Sequence, residues 1–173
     1  MAKKKKKSGL GTLLALVGAL LALAAVFMMF LPAASIKDTD TTFTGIQMTF
    51  GYSKDAGLGT LELFGFSFMN FLPYILVLAG IAFSVLTVLG KLGKIAPFLS
   101  AVCYLGAGIL FFLAVVCCVP NTDLEKLVNV GGSIFGEKVS VRDCLALGVG
   151  AILAGVLSIL ASLCSVAALV IKK

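Results

Sequence analysis

The chain has 173 residues, 60% of them hydrophobic and only 13% charged, with a net charge of +6 and neither histidine nor tryptophan. A soluble domain carries about 25% charged residues and 45–50% apolar ones, because polar groups must cover its outside. The composition excludes that class and leaves an integral membrane protein.

In chain order, Lys3, Lys4, Lys5, Lys6 and Lys7 precede the first of four uncharged runs, Ser8–Ile36, Leu63–Gly90, Ile95–Thr122 and Cys144–Ile171, of 29, 28, 28 and 28 residues. A spanning helix needs about 20 mostly apolar residues, and only helices and closed barrels satisfy every backbone group in lipid. The runs lack the alternation a barrel strand requires. Proline suits a helix's first turn and disrupts its interior, so Pro73 and Pro97 read as starts and Pro32 and Pro120 as stops. The expected spans are Leu10–Leu31, Pro73–Gly90, Ala96–Val119 and Asp143–Ile171, joined by outer loops over about 32–72 and 120–142. "LPAAS" after the first run suits a cleavage site, but signal-peptide cores are 7–15 residues long, so Leu10–Leu31 is read as a retained span. The "GKLGK" of Gly90–Lys94 lacks the spacing of a phosphate loop and reads as a tight turn.

The first outer loop alternates Ile46, Met48, Phe50 and Tyr52 with Gln47, Thr49 and Gly51, which predicts a half-buried strand. "SKDAGLG" supplies a turn, and Leu61 and Leu63 predict a returning strand, with Phe64, Phe66, Phe68 and Phe71 at the membrane interface. In the second outer loop, Thr122 and Glu125 have capping-box spacing and predict a short helix over Asp123–Val130. Ser133–Val141 is a candidate strand, and Ser140 with Asp143 predicts the fourth helix's start. The fold expected over residues 1–173 is an all-α membrane protein. It is a single domain, a four-transmembrane-helix bundle with a small extracytoplasmic β-hairpin or sheet cap and one short outer helix.

Lysine and arginine in short flanks orient a membrane protein. Lys3–Lys7, Lys91, Lys94, Lys172 and Lys173 give one side nine positive charges and no acidic ones, whereas the two outer loops are net −2 and −1. Both termini are therefore expected in the cytoplasm, in the plasma membrane, with the lysine run also touching anionic lipid at around 1 kcal/mol per lysine. Nucleic acid is not an expected partner, since no aromatic interleaving accompanies the run.

Reactive groups are scarce. Serine has no histidine to act as its base, "DTD" (Asp38, Asp40) reads as a solvated loop, and no charged residue lies in the interior of a predicted span, Asp143 standing at the edge of the fourth. A charge at the bilayer centre costs at least about 2.5–3.5 kcal/mol and is retained where ion coupling needs it. The expectation is no enzyme, no metal and no cofactor. Small residues recur at helical spacing in the first helix (Gly11, Ala15, Ala19) and the fourth (Gly150, Ala154, Ser158, Ser162, with Gly155 alongside), and are candidates for close helix packing. Phe50, Tyr52 and Phe64 are candidates for an outer recognition surface, with a cap over the helix ends as the alternative. Among five cysteines, Cys117 or Cys118 could reach Cys144 in an oxidising compartment.

The layout is a helix, a long outer loop holding "FTGIQMTFGY" (Phe43–Tyr52), then three helices with a short inside turn. It resembles the claudin-like four-helix proteins over most of the chain, and the small four-helix membrane proteins of bacteria, whose first loop reads much like this stretch. The resemblance implies a four-helix bundle with a strand-bearing first loop. Claudins carry a tryptophan and a cysteine pair in that loop. Here there is no tryptophan and no cysteine between Ser35 and Asn70, so barrier or pore function is not carried over. The expected function is non-enzymatic assembly with itself or another membrane protein. The alternative is an accessory or transport component for a neutral or lipid-like molecule.

Overall fold

The computed structural model describes residues 2–37, 40–55, 60–90, 92–121 and 141–171. Its helices are α1 (Ala2–Phe27), α2 (Gly45–Phe50), α3 (Phe68–Val88), α4 (Ile95–Phe112), α5 (Val141–Cys144) and α6 (Val149–Ile171); a 3₁₀ turn, Met28–Phe30, follows α1. The strands are β1 (Pro32–Ile36), β2 (Thr42–Thr44), β3 (Tyr52–Asp55), β4 (Thr60–Phe64) and β5 (Leu145–Leu147). Among the described residues four stretches, Gly9–Phe30, Phe68–Val88, Ile95–Phe112 and Val149–Ile171, are long and apolar enough to cross a membrane. Helices of this size reach roughly 27–35 Å at 1.5 Å per residue, against a hydrocarbon core of about 30 Å. The chain divides into two compact units.

The first unit comprises Met1–Phe27, Leu72–Phe111 and Leu153–Lys173. Small residues lie inside it and large apolar ones outside. Ala22, Ala161 and Ala168 are fully buried, whereas Leu13 and Leu163 are about 60% exposed, at 59% and 60%. That distribution suits lipid, where apolar burial gives no drive between helices and close backbone approach supplies the packing. Gly18 of α1 lies against α6 closely enough that a Cβ there would sit 3.2 Å from the Ala161 carbonyl and 3.3 Å from Cys164 Cβ. A Cβ on Gly108 of α4 would sit 2.8 Å from Ile159 of α6. α3 meets α4 where the Tyr104 ring covers Gly80.

The second unit comprises Met28–Phe71 and Phe112–Ile152. It holds an antiparallel sheet ordered β2-β1-β5 and the separate hairpin β3-β4. β1 is central: Ala34 pairs Phe43 on one side and Leu147 on the other. The core gathers Ala33, Ala34, Phe43, Met48, Leu63, Phe64, Cys118, Val141, Leu145 and Ala151. Phe43 meets the Phe64 ring edge-on at 4.8 Å.

Several expectations are corrected in this unit. Ile46–Tyr52 is not one strand, because Gly45–Phe50 is helical. The local cause is a capping box: Gln47 N donates to Thr44 Oγ1 at 3.4 Å and Thr44 N donates to Gln47 Oε1 at 2.9 Å. On a helix, alternate residues are 200° apart, so Met48 is buried while Phe50 is 52% exposed. The hairpin begins only at Tyr52, after Gly51 turns the chain at φ +96°, where a Cβ would also meet the Phe64 carbonyl at 3.0 Å. Leu61 and Leu63 do lie in the returning strand β4. Thr44→Ala should loosen α2 by about 1 kcal/mol, read as faster amide exchange at Gln47 and Met48 with α3, α4 and α6 unaffected. Unchanged exchange would mean that the box contributes nothing.

The fourth span starts later than Asp143. Val141–Cys144 is a separate turn of helix, Leu145–Leu147 pairs with β1, and α6 begins at Val149. The intervening backbone bonds to the sheet, with Lys37 N donating to Cys144 O at 2.9 Å and Gly148 N to Ala33 O at 2.8 Å. The third span ends at Phe112; a turn in which Cys117 N donates to Leu113 O at 2.9 Å follows, and 119–121 then pairs with the end of β4, where Gly65 N donates to Val119 O and Asn121 N to Leu63 O, each at 3.0 Å. The second span begins at Phe68, before Pro73, since the Ser67 hydroxyl accepts from Asn70 N at 3.2 Å and caps the turn. The helix expected over Asp123–Val130 lies outside the described residues, as does the candidate strand Ser133–Val141 except for Val141, which opens α5.

Candidate functional site

The three outer-surface candidates come together in the second unit. Phe50 ends α2, Tyr52 opens β3 and Phe64 closes β4, where the register pairs Tyr52 with Phe64. Around them lies an open cleft of about 300 Å³ whose walls also include Glu62, Phe66 and Asn121. Their roles differ. Phe64 is buried, with its ring against Phe43, and acts as the floor. Tyr52 is half-buried and also edges onto Phe43, at 6.2 Å. Phe50 stands out, and with Phe66 and Phe71 it makes a ring triad at centroid distances of 6.3, 5.6 and 6.2 Å.

Sequence reasoning missed the polar side of this cleft. Ser53 pairs with Glu62 across the hairpin, and Asn121 Nδ2 donates to Glu62 Oε2 at 2.9 Å. Asn121 is itself held by its backbone bond to Leu63. Nothing local marks Asn121, 59 residues away in sequence; only the strand-like pairing of 119–121 brings it there. Among the described residues, Glu62 is the single formally charged one on the cleft wall.

The helix-packing candidates turn inward. Gly150, Ala154, Gly155, Ser158 and Ser162 are all buried in α6, and Gly11 and Ala15 in α1, but Ala19 is only half-buried. In α1 the buried line runs through Gly11, Ala15, Gly18, Ala22 and Ala25. Steps of four drift by about 40° each at 3.6 residues per turn, whereas alternating steps of four and three hold one face.

A second polar group was also missed. In the first unit, Ser84 Oγ of α3 lies 2.7 Å from Ser100 Oγ and 3.0 Å from Tyr104 OH, both of α4, and Ser100 Oγ lies 3.1 Å from Ser165 Oγ of α6. Ser162 Oγ donates to Ala101 O at 2.9 Å. The available signal was the four-residue spacing of Ser100 and Tyr104, which puts both on one face of an apolar helix. Ser158 Oγ and Asn70 Oδ1 are buried without a hydrogen-bond partner among the described residues.

All five cysteines are free, so the pairing of Cys117 or Cys118 with Cys144 is not formed. Cys118 is fully buried in the apolar core, and burial pushes its thiol up against the opposing effect of Arg142, which donates to Cys118 O at 3.3 Å. Cys144 is held elsewhere by its carbonyl's bond to Lys37. Lys3–Lys7 lie in the first turns of α1. Among the described residues no three His, Cys, Asp or Glu side chains converge as a metal site would require. No protein family, curated protein or solved structure matches the chain.

Proposed function

We propose that this chain is a non-enzymatic, multi-pass protein of the plasma membrane that binds another membrane component through the cleft of its second unit. In this reading the helices form a four-helix transmembrane bundle with both termini cytoplasmic and the two longer loops extracytoplasmic. The observation that carries it is the meeting of Phe50, Tyr52 and Phe66 at one open cleft, with Phe50 and Phe66 more than half exposed at 52% and 54%. Aromatic rings held on a packed floor supply large contact area at little cost in side-chain freedom. The small-residue faces are used inside the chain, which leaves the outer aromatic surface as the better contact. The charge asymmetry of the flanks supports the orientation.

A photoreactive phenylalanine analogue in place of Phe50 should give a discrete adduct in intact cells, and the same analogue at Leu92, an exposed turn residue, should not. Identical labelling from both positions would overturn the reading.

A further inference from the structure

The chemistry of the cleft selects its ligand, and the inference rests on the reading of this surface as a binding site. We propose that the cleft takes the ammonium group of a zwitterionic phospholipid headgroup.

Three observations converge on this class. First, among the described residues the wall has one formal charge, the Glu62 carboxylate, and no lysine or arginine. Asn121 occupies Oε2 and fixes the group's direction, while no hydrogen bond to Oε1 is found among the described residues. An anion would meet only repulsion, and an organic cation would meet a preset counter-charge. Second, the rings of Phe50, Tyr52 and Phe66 stand in the wall beside Gly51, Ser53, Gly65 and Asn121. The negative faces of such rings attract ammonium groups, quaternary ones included. The volume of about 300 Å³ is at the small end for ligand pockets and suits a headgroup.

Third, the chain places the cleft near the headgroup layer. Phe66 precedes Phe68, the first residue of the apolar span, by two residues, which is at most about 7 Å of extended chain. The polar layer on each side of the hydrocarbon core is roughly 5–7 Å deep. Phe68 and Met69 are exposed, and Phe71 touches both Phe50 and Phe66. Aromatic residues are enriched at this depth.

The test uses the full chain purified in a sugar-headgroup detergent, with two arms. In the first, tetramethylammonium and ethanolamine are titrated calorimetrically against the native protein, Glu62→Gln and Phe50→Ala. Glu62→Gln keeps an oxygen for Asn121 and removes the charge, so folding should hold while ammonium affinity falls about tenfold or more. In the second, lipid retained after exchange is measured by native mass spectrometry from phosphatidylcholine, phosphatidylethanolamine and phosphatidylglycerol mixtures. The native protein should retain the two ammonium lipids over the glycerol lipid, and Glu62→Gln should lose that preference.

Equal ammonium affinity in native protein and Glu62→Gln overturns the proposal. Soluble ammonium binding without lipid preference overturns the lipid source and points to a free amine or a partner's lysine. If either failure occurs while the Phe50 adduct still forms, only this inference falls. If the adduct fails as well, the binding reading falls with it.

Discussion

Gly148→Ala should disrupt the second unit severely for a one-carbon change. A Cβ at this position would run into the Pro32 carbonyl and would lie 2.7 Å from Ala33 C and 2.9 Å from Ala34 N. All three neighbours are backbone of β1, the central strand of its sheet, so no flexible side-chain end can swing away. Gly148 N also donates to Ala33 O at 2.8 Å, and relieving the clash would stretch that bond. Overpacking a well-fitted site costs typically 1–3 kcal/mol and occasionally more; with rigid backbone as the obstacle, about 3 kcal/mol or more is expected. Hydrogen exchange should show lost protection at Ser35 and Leu147. Gly9→Ala is the matched control, since a Cβ there meets nothing within 4 Å. Equal stability of the two variants would show that β1 and the start of α6 are not packed as described.

Tyr104 should dominate the first unit in the same way, and its ring and hydroxyl can be separated. Its side chain is fully buried, its ring covers Gly80, and its hydroxyl lies 3.0 Å from Ser84 Oγ. Tyr104→Phe removes only the hydroxyl and leaves Ser84 with Ser100; interhelical hydrogen bonds in membranes average about 0.6 kcal/mol and reach about 1.7. Tyr104→Ala also opens a cavity between α3 and α4, at a cost of about 3–5 kcal/mol by analogy with other large aromatic truncations. Gly80→Ala should be costly beside the native tyrosine, because its Cβ would lie 2.5 Å from ring atom Cε1. Once Tyr104 is alanine, the same change fills space. The pair should therefore couple by about 0.5–3 kcal/mol, measured by unfolding in mixed micelles. Strict additivity would mean that the two residues do not pack together.

The stretch Gly45–Phe50, with its N-cap Thr44, carries two competing local signals. Met48 and Phe50 share parity with Ile46 and Tyr52, and alternation favours a strand. Yet the same stretch contains Thr44 and Gln47 at capping-box spacing, and the box directs the helix. Both signals are present in the sequence, and the two hydrogen bonds of the box prevail.

The sequence by itself determined what depends on composition and short range: four apolar stretches long enough to cross a bilayer, a returning strand through Leu61 and Leu63, and small residues at helical spacing in α1 and α6. These follow from transfer free energy and helical period, which are properties of neighbouring residues. Only the tertiary structure decided which backbone groups pair across long separations. β5 exists because β1 offers it a partner more than a hundred residues away, and 119–121 leaves the third apolar run to join β4. The cleft shares that origin, since Glu62 acquires Asn121 through a strand contact that no local periodicity encodes. The Ser84–Ser100–Ser165 cluster does too: each serine sits on a different helix, and its partner becomes defined only when three helices set their rotations together.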